Sequence, residues 1–257
     1  MTLPRISIWS LFRDDAGENI ARYRHKINRL QYPAGLLRFY LVEGDSQDNT
    51  LGELRAWAVE DQRVTVIQYH TGLPRMQHTP HPDRIRCLAE TGNAALDALA
   101  ADGWGDYAML IESDLYYEPD IITRLLASKP KDAAVISPYI WLPGPNDHVQ
   151  FYDIWAFRLL GGEMFPANMP AWYIANFPLQ PFEVESVGSM VLMDAGPVCD
   201  GVRYTTEWAI RGICLQYRER GLKIYADPTT NIFHPFVDLD NLYFGHHLTE
   251  TKVNERR

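Results

Sequence analysis

The sequence predicts an α/β fold on a mostly parallel sheet, and three observations carry that expectation. Short β-rich runs alternate with helical patterns through the first half of the chain, as βαβ units do. The 257 residues, 46% hydrophobic and 22% charged, suffice for one large or two small domains with a proper core. The run from Tyr107 to Ile111 is almost continuously apolar, as befits a fully buried strand, and stops abruptly at Glu112.

Taken in order, Arg5 to Phe12 reads as the first strand and Glu18 to Leu30 as a helix. Leu36 to Glu43 is the second strand, Leu51 to Glu60 the second helix and Val64 to Tyr69 the third strand, a rhythm that predicts a Rossmann-like half. Asp83 to Asp102 is the clearest helix, with Ile85, Leu88, Gly92, Ala95, Leu96 and Leu99 on one stripe. Tyr107 to Glu112 follows as a strand, and Pro119 suits the start of the next helix. From Trp141 to Phe182 the chain is rich in Pro, Gly, Asn and aromatics, among them Tyr152, Trp155, Phe157 and Trp172, and reads as an irregular insertion near a site. Most of these rings are expected to form a small core, with one or two faces left for a ligand. Thr249 to Arg257 is a charged tail expected to fray.

Composition narrows the partners. A formal charge of −9 without any run of clustered Lys or Arg gives no general attraction to nucleic acid or anionic membrane. Cys87, Cys199 and Cys214 lie far apart with no zinc spacing, which points to a reducing compartment and a cytoplasmic protein. The N-terminal apolar stretch is too short and too broken by Ser7 and Ser10 for a signal peptide, and nothing reaches membrane-spanning length.

Two acidic clusters stand at strand ends. Glu112 and Asp114, at positions i and i+2, can converge on one hard divalent cation; the alternative is a strand followed by a solvated turn. In open α/β sheets ligands bind beyond the carboxyl ends of strands, where Glu112, Ser113 and Asp114 stand. In Val42-Glu43-Gly44-Asp45-Ser46-Gln47-Asp48-Asn49-Thr50, Gly44 allows a tight turn while Glu43 and Asp45 can accept hydrogen bonds from a base, a ribose or a neighbouring donor. Here the plain alternative is a strand-to-helix turn capped by Asp48 or Thr50.

The order of motifs, from that turn through Ile111-Glu112-Ser113-Asp114 and Ser186-Val-Gly188-Ser-Met-Val-Leu-Met193 to Glu207, resembles the GT-A glycosyltransferases over about residues 5 to 235. The first motif resembles the nucleotide-binding turn of family 2 enzymes, the second their DxD metal motif with Glu112 in place of the first Asp, and the layout is also similar to the Anp1 (Mnn9)-like mannosyltransferases. The resemblance implies a single GT-A domain over residues 1–240, with a nucleotide-sugar half at 1–115, an acceptor-side half at 116–240 and a tail at 241–257. It implies that Glu43 contacts base or ribose opposite the first-strand exit at Ser10 to Arg13. It further implies that Asp114 ligates Mn²⁺ or Mg²⁺, that Glu112 meets ribose or the metal shell, and that His234 is a further metal or diphosphate ligand, imidazole suiting Mn²⁺ better.

Glu207 extends the apolar face of Ile210, Ile213, Cys214 and Tyr217 by one turn, so it is expected to point inward from a helix N-terminus, where capping is the plain alternative. Family 2 enzymes place a Glu-Asp pair at this point with the Asp as base; here Trp208 takes the second place. Arg84 or Arg86, at the start of the long helix, would clamp a diphosphate, unless both are solvated surface residues. The reading is therefore a metal-dependent glycosyltransferase using a UDP- or GDP-sugar and a hydroxyl acceptor, with retention favoured over inversion. Glu207 would then act as base or position the acceptor. The acceptor is open among polysaccharide, lipid-linked saccharide, protein, small molecule and modified DNA base. The alternatives are a nucleotidyltransferase acting on sugar phosphates, which normally needs a Gly-rich basic loop that Ser10 to Gly17 does not provide, and a non-catalytic nucleotide- or carbohydrate-binding module.

Overall fold

The computed structural model describes residues 2–75, 81–143, 149–153, 155–164 and 179–235. Its first half follows the predicted rhythm: β1 (Ile6–Phe12), α1 (Glu18–Asn28), β2 (Leu37–Gly44), α2 (Thr50–Glu60), β3 (Val64–Tyr69), α3 (Pro82–Asp102) and β4 (Tyr107–Ile111). The second half contains α4 (Ile121–Ser128), β5 (Ala133–Pro143), β6 (Val149–Phe151), β7 (Phe182–Val184), β8 (Met190–Asp194), α5 (Ala195–Cys199), α6 (Ile210–Glu219) and β9 (Lys223–Phe233). These strands make one nine-stranded sheet in the order β3-β2-β1-β4-β8-β5-β9-β7, with β6 beside β5. Strands β1 to β5 and β9 run one way, while β6, β7 and β8 oppose them, so the sheet is mixed and mostly parallel.

Helices cover both faces, as buried parallel strands require. On one face Ile6 and Ile8 of β1 gather with Tyr23 and Ile27 of α1 and with Leu54 and Trp57 of α2. On the other, Trp9 of β1 and Val42 of β2 gather with Leu96 and Leu99 of α3 and with Ile213, Cys214 and Tyr217 of α6. Helix α3 starts where the sequence puts it: Pro82 follows His81, whose Nδ1 accepts the Asp83 amide at 3.2 Å, and Gly103 in the left-handed region ends the helix. Ala95, Leu96 and Leu99 of its stripe are buried, but Ile85 and Leu88 are only partly so.

Part of the predicted insertion is sheet rather than loop. Strand β5 runs into it as far as Pro143 and pairs there with β6. Trp141 and Phe157 are buried, and Phe151 and Phe157 meet edge to face at 4.9 Å, so several of its rings serve the core. Phe165, Trp172, Tyr173 and Phe177, together with the tail after Pro235, lie outside the described residues. No helix among the described residues is long and apolar enough to cross a membrane.

Candidate active site

Strands β1, β2 and β4 all deliver their carboxyl ends to one edge of the sheet, and the acidic residues stand there. Glu112 follows β4 directly, held by its amide to the Ser189 carbonyl at 3.1 Å. Two residues later Asp114 lies in a turn, and Tyr116 pairs with Phe233 through two backbone hydrogen bonds of 2.8 and 2.9 Å. That pairing draws the end of β9 to the end of β4 and brings His234 to Asp114, with Nε2 3.1 Å from Oδ2. One ligand atom each from Glu112, Asp114 and His234 fall within 4.8 Å of one another. The His234 Nδ1 sits 2.7 Å from the Pro235 carbonyl, which suits a donated proton there and leaves Nε2 toward the acids. Tyr152 stacks on the imidazole, centroids 3.7 Å apart.

The cluster polarises its members. Burial, the Asp114 charge and a smaller Asp153 contribution push the Glu112 carboxyl up to about 7 against the opposing pull of His234. Burial would also raise Asp114, but the His234 hydrogen bond and charge, with Lys26, carry it below its ordinary value. For His234, burial acts downward and is outweighed by the Asp114 hydrogen bond and the two acidic charges, so it titrates above its ordinary value. Two carboxylates and an imidazole, close together and part open to solvent, fit a divalent cation of the manganese type.

At the carboxyl ends of β1 and β2 lies a cavity of about 210 Å³ whose lining includes Arg13, Gly44, Arg75, Arg84, Cys87 and Leu88. It explains why Leu88 stays partly open: this side of the first turns of α3 overhangs a hollow, not the core. Arg13 donates from Nη2 to the Leu73 carbonyl at 2.7 Å, and its buried Nε has no hydrogen-bond partner among the described residues. Arg84 is felt, with Glu112 and Asp114, by the Tyr152 hydroxyl, so it stands on the side of the acids. Arg86 is exposed and pairs with Asp83 at 3.2 Å, away from the cavity lining. The two candidate clamps therefore separate into one lining residue and one surface residue.

The second acidic cluster is largely engaged within the protein. Glu43 is 2% exposed and its Oε1 accepts the Ser46 amide at 2.7 Å. Asp45, at φ 58, accepts the Thr71 amide at 2.9 Å and the Thr71 hydroxyl. Asp48 accepts the Thr50 amide at 2.9 Å and the Ala16 amide at 3.0 Å, so it holds the turn that leads into α2, whose N-cap position is Asn49, and ties the β1 exit to the β2 exit. Glu43 and Asp45 thus fix the turn around Gly44, which lines the cavity. Ser113 sits in the turn between Glu112 and Asp114.

Glu207 corrects the sequence reading. It is exposed in a turn spanning Thr206 to Trp208, and α6 begins only at Ile210, because Ala209 at φ 46 and ψ −123 interrupts the helix. Ile213, Cys214 and Tyr217 are buried as expected, but Glu207 neither belongs to their face nor points inward. Asp153 is a residue that sequence reasoning missed: it is buried, its Oδ1 accepts the Ala156 amide at 3.1 Å, and its Oδ2 has no partner among the described residues. Burial pushes its carboxyl up to about 6. Nothing in Phe151-Tyr152-Asp153 marks it as an interior acid, since its burial depends on the long-range approach of Gly188.

The family described as Cryptococcal mannosyltransferase 1 matches residues 37–221, a span that holds Glu43, Arg84, Glu112 and Asp114 but not Arg13 or His234. No curated protein matches the chain. Among solved structures, the mannosyltransferase PcManGT from Pyrobaculum calidifontis, in complex with GDP-Man and Mn²⁺, is similar over 90% of this chain and 56% of its own, at 14% identity and TM-score 0.58. GalNAc-T7 with UDP, GalNAc and Mn²⁺ is similar over 91% and 43%, at 12% identity and TM-score 0.62. S. aureus TarS 1-349 in complex with UDP-GlcNAc is similar over 90% and 58%, at 12% identity and TM-score 0.58. The chain spans about half the length of these structures, and what it shares with them is the GT-A fold.

Proposed function

The chain belongs to the family described as Cryptococcal mannosyltransferase 1, and from that membership we propose a metal-dependent glycosyltransferase that moves a sugar from a UDP- or GDP-sugar to a hydroxyl acceptor. The observation that carries the reading is the convergence of Glu112, Asp114 and His234 at the end of β4, with a cavity lined by Arg13 and Arg84 at the ends of the neighbouring strands β1 and β2. In this reading Asp114 and His234 hold Mn²⁺ or Mg²⁺, with Glu112 as ligand or ribose contact and Ser113 in the same turn. A divalent cation bound there supplies Lewis-acid stabilisation of the charge on the departing diphosphate. Arg84 contributes positive charge to that diphosphate, and Arg13 presents a donor to the nucleoside. Glu43 and Asp45 keep the Gly44 turn open to the nucleotide, and Arg86 is left as a surface residue.

Retention is favoured over inversion because Trp208 stands where inverting family 2 enzymes carry the Asp that acts as base. The role of Glu207 becomes that of an acceptor-side hydrogen-bond partner. The thiols of Cys87, Cys199 and Cys214 are all free, in keeping with a cytoplasmic setting. The test is a melting-temperature series with UDP, GDP and their sugars, with and without Mn²⁺, together with hydrolysis of the donor in the absence of acceptor. A ligand that binds the native state raises the midpoint. We expect a nucleotide shift that requires Mn²⁺ and is lost, with hydrolysis, in Asp114→Ala. A folded Asp114→Ala that keeps both removes the metal role, and a nucleotide shift without any hydrolysis leaves a binding module.

A further inference from the structure

The turn before α6 is built in a way that ordinary chain reversal does not require. Ala209 donates its amide to the Thr205 carbonyl at 2.8 Å while holding φ 46 and ψ −123, a region that side-chain-bearing residues rarely adopt. A Cβ on Gly212 would overlap the Thr205 side chain, so the turn is pressed directly onto the helix. At its tip stands Trp208, 48% exposed. The Arg211 guanidinium lies over the indole, 4.5 Å from its centroid, and is fixed from below by Glu185 at 2.7 Å in a largely buried ion pair. One of the largest apolar side chains in the sequence is thereby held in water on a charged, well-anchored support.

The turn also adjoins the acidic site. A Cβ built on Gly188 would come 2.6 Å from the Ala156 Cβ and 3.3 Å from Ile210 Cγ2, so the segments carrying Trp155 and Trp208 meet at this residue. Trp155 is likewise 48% exposed. The next residue, Ser189, receives the Glu112 amide. Trp155 and Trp208 thus each stand within two residues of a side chain packed on Gly188, whose neighbour Ser189 holds the Glu112 amide.

We propose that Trp208 is the stacking platform for a pyranose ring of the acceptor, so that the acceptor is a saccharide and Trp208 sets its affinity; this rests on the glycosyltransferase reading above. The C–H face of a pyranose is apolar and packs on an aromatic ring, while its edge presents hydroxyls, and the exposed Glu207 carboxylate beside the ring accepts from one of them. A lipid or apolar peptide would call for a wider contiguous apolar surface than one indole with a guanidinium over it and the exposed Glu207 next to it in the chain.

The experiment uses methyl glycosides of mannose, galactose, glucose and N-acetylglucosamine as probes, with saturation-transfer NMR in the presence of Mn²⁺ and GDP or UDP. Wild type should saturate at least one glycoside, Trp208→Ala should weaken it by about tenfold or more, and Trp208→Phe should retain most of it. The nucleotide-induced change in melting temperature should be the same in all three, which shows that the variants fold. No glycoside contact in wild type, or equal contact in Trp208→Ala, overturns the proposal. Failure of the transferase reading shows differently, as a missing nucleotide shift in wild type.

Discussion

Glu112 and His234 both hold protons more tightly than free side chains do, and a cation must displace those protons to bind. The sign follows: below the raised values the site is protonated and competes with the metal, and above them it is free. Mn²⁺ affinity, read from the EPR signal of free ion, should therefore strengthen by about tenfold or more between roughly pH 6 and 8. A pH-independent affinity would mean that these groups are not the ligands. Asp114 and Glu112 were legible from their spacing after an apolar run, although their meeting depends on a turn and on His234 rather than on strand alternation alone. Glu207 was misread for a definite reason: helical periodicity extends an apolar face backwards without limit, and only the backbone angles of Ala209 show where the helix stops. Asp153 left no local signal because the Gly188 segment that packs on it is distant in sequence, and the Trp208–Arg211 stack left none because it depends on the backbone conformation of the turn at Ala209.

Among the elements, α3 was the clearest in sequence because its stripe, N-terminal proline and C-terminal glycine agree. The stripe also contains a constraint that periodicity does not reveal: a Cβ on Gly92 would lie 2.5 Å from the ring of Tyr204, which is itself fixed by Trp9 Nε1 at 3.1 Å. Gly92→Ala should accordingly destabilise the protein by about 1–3 kcal/mol in urea unfolding, in spite of alanine's better helix propensity. Stabilisation by that substitution would show that the contact is loose. Strand β5 carries Pro138 and Pro143, residues that a strand interior does not readily admit. The sheet accommodates Pro138 at an irregularity, where the β9 register jumps from Asp227 opposite Pro138 to Asn231 opposite Tyr139. Asp227 stabilises that jump by accepting from Thr229 and Thr230.

For the whole molecule, the alternation of elements was enough to predict the mostly parallel sheet, and the edge where ligands bind followed from it. What the sequence did not disclose is the closure of the site, because the insertion and β9 come from the second half of the chain, the pairing of Tyr116 with Phe233 bringing β9 to the acids and Tyr152 reaching them through His234. The net charge of −9 conceals a cavity lined by Arg13, Arg75 and Arg84, so basic side chains gather at one hollow of an acidic protein. The central claim is that acids and cations at this edge hold one metal–nucleotide complex. Anomalous scattering from crystals soaked with Mn²⁺ and GDP or UDP tests it most directly. The account predicts a manganese peak in contact with Asp114 and His234, with the diphosphate between that peak and Arg84. Nucleotide bound elsewhere, with no manganese at Asp114, would contradict it.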